Sequence, residues 1–393
     1  MNMNRIPYII LSVLFSLMAS ATSAQEYKIF QFDNGDDYIR EGLRRISDST
    51  GKIGYADDKG KVVITPRFAF AFPFEDGVAK VTDEGNSVSE GEHYRWVSPD
   101  WYFIDHSGNE VGRERRYAQI EQRLETFVKA KNARIGIAVI INGKDTVSVN
   151  GSKDFPMMSV FKFPLALAVA KWVDANGMSL NDSIAIDPNA LIKDTYSPML
   201  KKYGMGLNKM SFKELLEWAL IESDNNAADL LLKRVGGTAC ATTLLKDVAG
   251  ELDITIGASE QEMHKDPYLS YLNRSTPLAM ATLFDRFDTD IKARSKSFSD
   301  IAVMLEQCRT GVDRLAAPFI TTNAVIGHKT GTGFPTSEGR ISAINDCGYI
   351  HLPNGTRYTI AVFVADSAYD MTETSKIIAD ISEIVAESLI NSK

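Results

Sequence analysis

The feature that most constrains this chain is the placement of its strands at either end of a long helical run. Residues 134–149 read as a β-hairpin turning at Asn142-Gly143, a pair suited to the positive φ angles of a tight turn. Strands return only at 324–329, 341–350 and 358–364, the last two flanking a turn at Asn354-Gly355. Between them, Ser159 to Ala317 reads as mainly helical and ends at Pro318. Amphipathic helices at 115–131, with Ile120, Leu124 and Phe127 at helical spacing, and at 372–389 flank the whole. Strands from both ends must share one sheet, so the pattern implies an α+β fold with an inserted helical domain.

Residues 25–113 have another texture, rich in Gly, Asp and aromatics with weak helical periodicity. A degenerate repeat is visible. Glu41-Gly42-Leu43 with Ile46 leads to Gly54-Tyr55-Ala56-Asp57 and Lys59-Gly60-Lys61. Asp76-Gly77-Val78 with Val81 leads to Tyr102-Phe103-Ile104-Asp105 and Ser107-Gly108-Asn109. Such repetition implies stacked small β units, either a binding module of unknown partner or a passive cap. Ahead of it, Arg5, the apolar run Ile9–Met18 and the small polar stretch Ala19–Ala24 read as a secretory signal cut near Ala24. The expected organisation is therefore a signal at 1–24, a β-rich repeat domain at 25–113 and an α+β domain at 114–393.

The apolar run is short for a membrane anchor, and no later segment is long and apolar enough to cross a bilayer. Of 393 residues, 43 are basic and 51 acidic, with the basic ones scattered, which argues against nucleic acid as partner. Three cysteines, Cys240, Cys308 and Cys347, give no disulfide framework and read as small buried hydrophobes. The five histidines form no metal-binding run, and no cofactor is implied.

Three short motifs carry the chemistry. Ser159-Val160-Phe161-Lys162 opens a strongly apolar helix, Ser223-Asp224-Asn225 follows in the helical region, and Lys329-Thr330-Gly331 ends a strand. Taken singly, they read as a capped core helix, a helix cap and an exposed strand end. A further Ser-x-x-Lys match at Ser49–Lys52 has no helix behind it and is set aside. In order, the set is the signature of the class A β-lactamases and penicillin-binding proteins. Residues three apart share a helix face, so Lys162 lies beside Ser159 and can take its proton. Burial among Phe161, Phe163, Leu165 and Leu167 would make Lys162 a better base. A helix start also offers free N–H groups to an oxyanion.

From about residue 115 onward the chain resembles a class A serine β-lactamase, and the N-terminal segment resembles WG-repeat modules. The resemblance implies hydrolysis of β-lactam antibiotics, and hence resistance, in an exported, periplasmic enzyme. It implies Ser159 as nucleophile, Lys162 as its partner, and Ser223 as proton relay to the departing nitrogen. Asn225 would hold Lys162 and the substrate amide, and Tyr196 would form an aromatic wall. Lys329, Thr330 and Thr332 would take the substrate carboxylate, with the Thr332 N–H completing an oxyanion hole. Arg340 is a further candidate for that carboxylate. The deacylating Glu belongs on a loop where Ser259-Glu260-Gln261-Glu262-Met263-His264 stands, leaving a choice between Glu260 and Glu262. Spacing to His264, which occupies the family's usual Asn position, selects Glu260. His264 and the absence of the loop's usual Arg resemble a cephalosporinase or extended-spectrum subgroup, so cephalosporins are expected ahead of penicillins. The nearest alternative is a D,D-peptidase or penicillin-binding protein lacking the deacylating Glu. A catalytically inactive cell-envelope binding protein is another, and it would require a missing motif residue.

Overall fold

The computed structural model describes residues 27–32, 35–90, 93–98, 100–111 and 113–390. The expected secretory signal lies outside them.

Residues 28–104 form short antiparallel strands around a small core of their own. Lys28–Ile29, Leu43–Ser47, Ile53–Asp57 and Val62–Phe68 make one sheet, in that order. Tyr102–Ile104, Ala79–Thr82 and Phe70–Ala71 make another. Tyr55, Phe68, Phe74, Val81 and Ile104 fill the space between. The repeat has a common physical unit. The Asp57 carboxylate accepts the N–H groups of Lys59 and Lys61, and the Asp105 carboxylate those of Ser107 and Asn109. Each turn closes through a glycine, Gly60 and Gly108, at φ +83° and +81°. Asp48 does the same for Thr50 and Lys52 with Gly51 at +82°. The discarded Ser49–Lys52 match is thus a third copy of this turn.

The remainder is built on one five-stranded sheet. Helix α1 (Arg113–Lys129) precedes strands β1 (Arg134–Ile141) and β2 (Asp145–Val149). The sheet is completed by β3 (Val325–Thr332), β4 (Ile341–His351) and β5 (Arg357–Ser367), in the order β2-β1-β5-β4-β3, all antiparallel. β1 pairs with β5, Ile135 opposite Val364, so the chain's distant strands do close one sheet. Alternation along the strands serves two cores. Ile135, Ile137, Val139 and, from β5, Ile360, Val362 and Val364 face α1 and the C-terminal helix (Met371–Ile390). Ala138, Ala361 and Phe363 face the inserted helices. A sheet covered on both faces accounts for the continuous apolar runs in β1 and β5.

Helix α2 (Lys162–Ala175) runs through the second core. Phe163, Leu165, Leu167 and Val169 are all buried, and the Phe163 ring stacks on Phe284 with centroids 4.0 Å apart. The insert is less uniformly helical than its sequence suggests. A pairing of Ser183–Ala185 with Lys209–Ser211, and one of Ile254–Thr255 with Arg274–Ser275, which Phe155–Pro156 joins from the other side, interrupt it. Both are two or three residues long, too short to leave a period in the sequence.

Candidate active site

Two strained residues deliver two of the motifs. Met158, at φ +47°, turns the chain so that Ser159 sits in a 3₁₀ turn (Met158–Phe161) leading into α2. The hydroxyl does not cap that helix, as the isolated motif suggested; the turn has no side-chain cap. Ser223, at φ +58°, projects from the link between α3 (Phe212–Ile221) and α4 (Asn225–Arg234). Non-glycine residues held at positive φ cost about 1–3 kcal/mol and persist only where neighbours enforce them. Here Asn345 of β4 donates to the Pro156 and Met157 carbonyls at 2.8 and 3.0 Å. The buried Asp224 carboxylate accepts from Ser197 Oγ, Met199 N and Ala227 N, tying the Tyr196 loop to the start of α4.

The third motif arrives on β3, an edge strand. A Cβ on Gly331 would stand 2.4 Å from the Met157 carbonyl oxygen, so only glycine lets β3 press against the Ser159 turn. Gly333 N donates inward to Ala343 O. Alternation along an antiparallel strand then directs the Thr332 N–H outward, toward the same side as Ser159.

Lys162, Ser223 and Lys329 form a connected polar centre. Lys162 Nζ is fully buried and donates to Ser223 O at 2.8 Å, to Asn225 Oδ1 at 2.6 Å and to Glu260 Oε1 at 2.9 Å. Its environment is therefore an ion pair rather than the purely apolar pocket that the helix sequence implied. Lys329 Nζ donates to Ser223 Oγ and to Thr330 O, both at 2.9 Å. Burial pushes Lys329 down to about 7.

The loop carrying the two glutamates separates them by local structure. Helix α5 (Glu260–Lys265) starts at Ser259, whose hydroxyl accepts the Glu262 N–H while Glu262 Oε2 accepts from Ser259 N and Oγ. That capping box consumes Glu262 at the surface. Glu260, at the first helical position, is buried on Lys162. Its placement depends on Asp229 of α4, whose carboxylate accepts the N–H groups of Glu260 and Gln261 at 2.7 Å each. Burial raises Asp229 to about 6. Asn273 pins the base of the loop, accepting from Gly257 N and Ala258 N and donating to Ala258 O. A fully buried amide thus anchors the loop that lacks the expected Arg.

Ser159, Tyr196, Ser223, Asn225, Glu260, His264, Thr330 and Thr332 all line one cavity of about 590 Å³, with Lys162 and Lys329 immediately behind its wall. His264 Nε2 lies 3.2 Å from Asp194 Oδ1 across the cleft, and Tyr196 stands half-exposed at its mouth. Arg340 is not among the lining residues. Its guanidinium is engaged by the Asp366 and Asn132 carbonyls. The cation beside Thr332 is instead Arg314, with Nη2 2.8 Å from Thr332 Oγ1 and Nη1 on the Gly331 and Asn345 carbonyls. Arg314 precedes the strand in an irregular segment and belongs to no motif, so nothing in the sequence points to it. Thr310, 2.5 Å from Thr330 Oγ1, was missed for the same reason. The cysteines also differ from the sequence reading. Only Cys347 is buried; Cys240 is exposed and Cys308 is half-buried beside polar groups.

A hydroxyl, two buried lysine side chains, a buried carboxylate and the outward N–H of Thr332 can form and then hydrolyse an acyl ester. Comparison with known proteins agrees with that chemistry. Residues 119–389 match the family described as "Beta-lactamase enzyme family", and residues 53–86 match "WG containing repeat". A β-lactamase of Phocaeicola vulgatus is 38% identical over 68% of this chain and 84% of its own length. Beta-lactamase VEB-1 of Pseudomonas aeruginosa is 38% identical over 68% of this chain and 90% of its own. The crystal structure of the TLA-3 extended-spectrum β-lactamase superposes with a TM-score of 0.67 at 33% identity, covering 70% of this chain and all of that one.

Proposed function

Since this chain belongs to the class A serine β-lactamases and hydrolyses β-lactams, we propose that it does so through an acyl ester on Ser159, removed by water that Glu260 activates. The observation that carries this reading is Glu260 on Lys162 at 2.9 Å, within the cleft that Ser159 lines. A D,D-peptidase would lack that carboxylate.

In the first step Ser159 Oγ attacks the lactam carbonyl. Its proton passes to Lys162 Nζ, which acts as the amine once its own proton has moved across the 2.9 Å contact to Glu260 Oε1. The carbonyl oxygen becomes an anion facing the N–H groups of Ser159 and Thr332. As the ring C–N bond breaks, Ser223 donates its proton to the departing nitrogen and is recharged with the proton that Lys162 took from Ser159, so that Glu260 enters the second step as a carboxylate. Lys329, Thr330 and Thr332 bind the substrate carboxylate, with Arg314 fixing the Thr332 hydroxyl. Asn225 holds both Lys162 and the amide side chain of the substrate. In the second step Glu260 draws a proton from water, which attacks the ester and returns Ser159 to the hydroxyl form.

Three finer readings accompany this. Residues 1–24 act as an export signal and the enzyme works in the periplasm. Residues 25–113 form a separate WG-repeat domain ahead of the catalytic domain at 114–393. Cephalosporins are turned over in preference to penicillins, because His264 and the rebuilt loop alter the cleft wall. Purified protein tested with nitrocefin, beside Ser159→Ala, examines the central claim. The change removes a hydroxyl and no core volume, so the variant should fold and lose turnover by up to about a million-fold, as when a serine protease loses its nucleophile. Substantial hydrolysis by the folded variant would remove Ser159 from its role.

A further inference from the structure

Of the two threonines read as carboxylate ligands, Thr332 is exposed and Thr330 is buried. One irregular segment, residues 309–311, grips both branches of the Thr330 side chain. The hydroxyl lies 2.5 Å from Thr310 Oγ1. The methyl lies against Gly311, at φ +63°, where a Cβ would stand 2.6 Å from Thr330 Cγ2, so only glycine leaves room for it. A β-branched side chain held at both tips keeps one χ1 rotamer. The segment is in turn tied to the other parts of the site. Arg309 N donates to Ile221 O, two residues before Ser223. Gly311 O accepts from Arg314 N, and the Arg314 guanidinium reaches Thr332.

Proton counting decides what Thr310 does. A hydroxyl has one proton to give and two lone pairs to accept with. Once Thr330 gives its proton to the lactam carboxylate, it can meet Thr310 only as an acceptor, so Thr310 must donate. The Thr310 proton has a second acceptor in Cys308 Sγ at 3.4 Å, while the Cys308 thiol donates to Thr310 O at 3.7 Å. Without a carboxylate the chain can run from Thr330 through Thr310 to sulfur. With one it runs from Thr310 through Thr330 to the anion, and hydrogen bonds in such a chain strengthen one another. Both threonines line the cavity, so the chain ends where the substrate sits.

We propose that Thr310 is a positioning residue for substrate binding: its hydroxyl donates to Thr330 Oγ1 and so directs the Thr330 proton to the lactam carboxylate. The inference rests on the reading of Thr330 as a carboxylate ligand, and Thr310 acts through that residue.

The test is the steady-state kinetics of nitrocefin hydrolysis by wild type, Thr310→Val, Thr310→Ser, Thr330→Val and the double valine variant. Valine keeps the shape of the side chain and loses the hydroxyl; serine keeps the hydroxyl. Thr310→Val should raise KM about two- to tenfold, the worth of one hydrogen bond, with the loss in KM rather than kcat. Thr310→Ser should return KM to the wild-type value. In the Thr330→Val background, Thr310→Val should add nothing further, because the two hydroxyls work as one chain; a merely structural role would add its full loss there. If a Thr310→Val protein does not fold, Thr310→Ala takes its place in both backgrounds. A wild-type KM in Thr310→Val, a serine variant that matches valine, a loss confined to kcat, or full additivity in the double variant each overturn the inference. Thr330→Val separates the two layers. If it leaves KM unchanged, the carboxylate reading of Thr330 fails. If it raises KM while Thr310→Val matches wild type, only the role of Thr310 fails.

Discussion

Replacing Glu260 by Gln should let the lactam ring open and then halt the enzyme. Lys162 keeps its bonds to Ser223 O and Asn225 Oδ1, so the Ser159 side of the site stays assembled. The amide can still accept a hydrogen bond from Lys162 but cannot take a proton from water. General-base assistance is worth ~10²–10⁴ in rate, or about 2.7–5.5 kcal/mol of barrier. Removing the carboxylate also leaves Lys162 buried without a counter-charge, which favours its neutral amine, the form that takes the Ser159 proton; the broken pair costs up to about 3–5 kcal/mol. The retained amide contact should keep the cost at the low end, so a lowered Tm accompanies a folded protein. The assay is a nitrocefin time course with intact-protein mass spectrometry. A stoichiometric burst, then a stall, with one drug adduct on the chain, is the expected result. Glu262→Gln is the control. Its carboxylate serves the Ser259 capping box, a contribution of about 0.3–1.5 kcal/mol, so this variant should melt slightly earlier and turn over normally. Adduct accumulating in Glu262→Gln, with normal turnover in Glu260→Gln, would refute the assignment and the reasoning from burial behind it.

A chain starting at Gly112 should remain an active lactamase. Helix α1 packs through Ile120 and Leu124 on the catalytic sheet, whereas the repeat domain is linked by exposed pairs such as Lys144 with Glu84, worth about 0–1 kcal/mol; a folded but inert truncation would show that the repeats contribute to the site. Cephalosporins should give a higher kcat/KM than benzylpenicillin, and the reverse ranking would remove the argument from His264 and its loop. Asp229 should leave a signature in acid. Its folded value of about 6 lies above the ordinary 3.8, so between the two the native state binds more protons than the unfolded one and stability falls as pH rises. The Tm of wild type relative to Asp229→Asn should therefore decline across that window, and a flat difference would sink the point.

The sequence determined the elements whose information is local. The Asn142-Gly143 turn, the apolar alternation of β1 and β5, and the wholly apolar face of α2 are written within a few residues each, and the sheet they imply is the sheet found. The three motifs were legible for the same reason, since Ser159 with Lys162, and Lys329 with Thr330 and Gly331, keep fixed spacings along one element. What the sequence left open needed contacts between distant segments. Glu260 and Glu262 are alike in composition and two residues apart; only the capping box at Ser259, and the reach of Lys162 from another helix, separate them. Arg340 and Arg314 are both arginines near β3. Backbone carbonyls of Asp366 and Asn132 claim the first, while the second is turned onto Thr332 from a segment without periodicity. Cys308 reads as a small hydrophobe, but the fold sets its Sγ against the Thr310 hydroxyl, which in turn meets Thr330 on β3. Charge and hydrogen bonding act through space, so a side chain's chemistry is fixed only when the fold has chosen its neighbours.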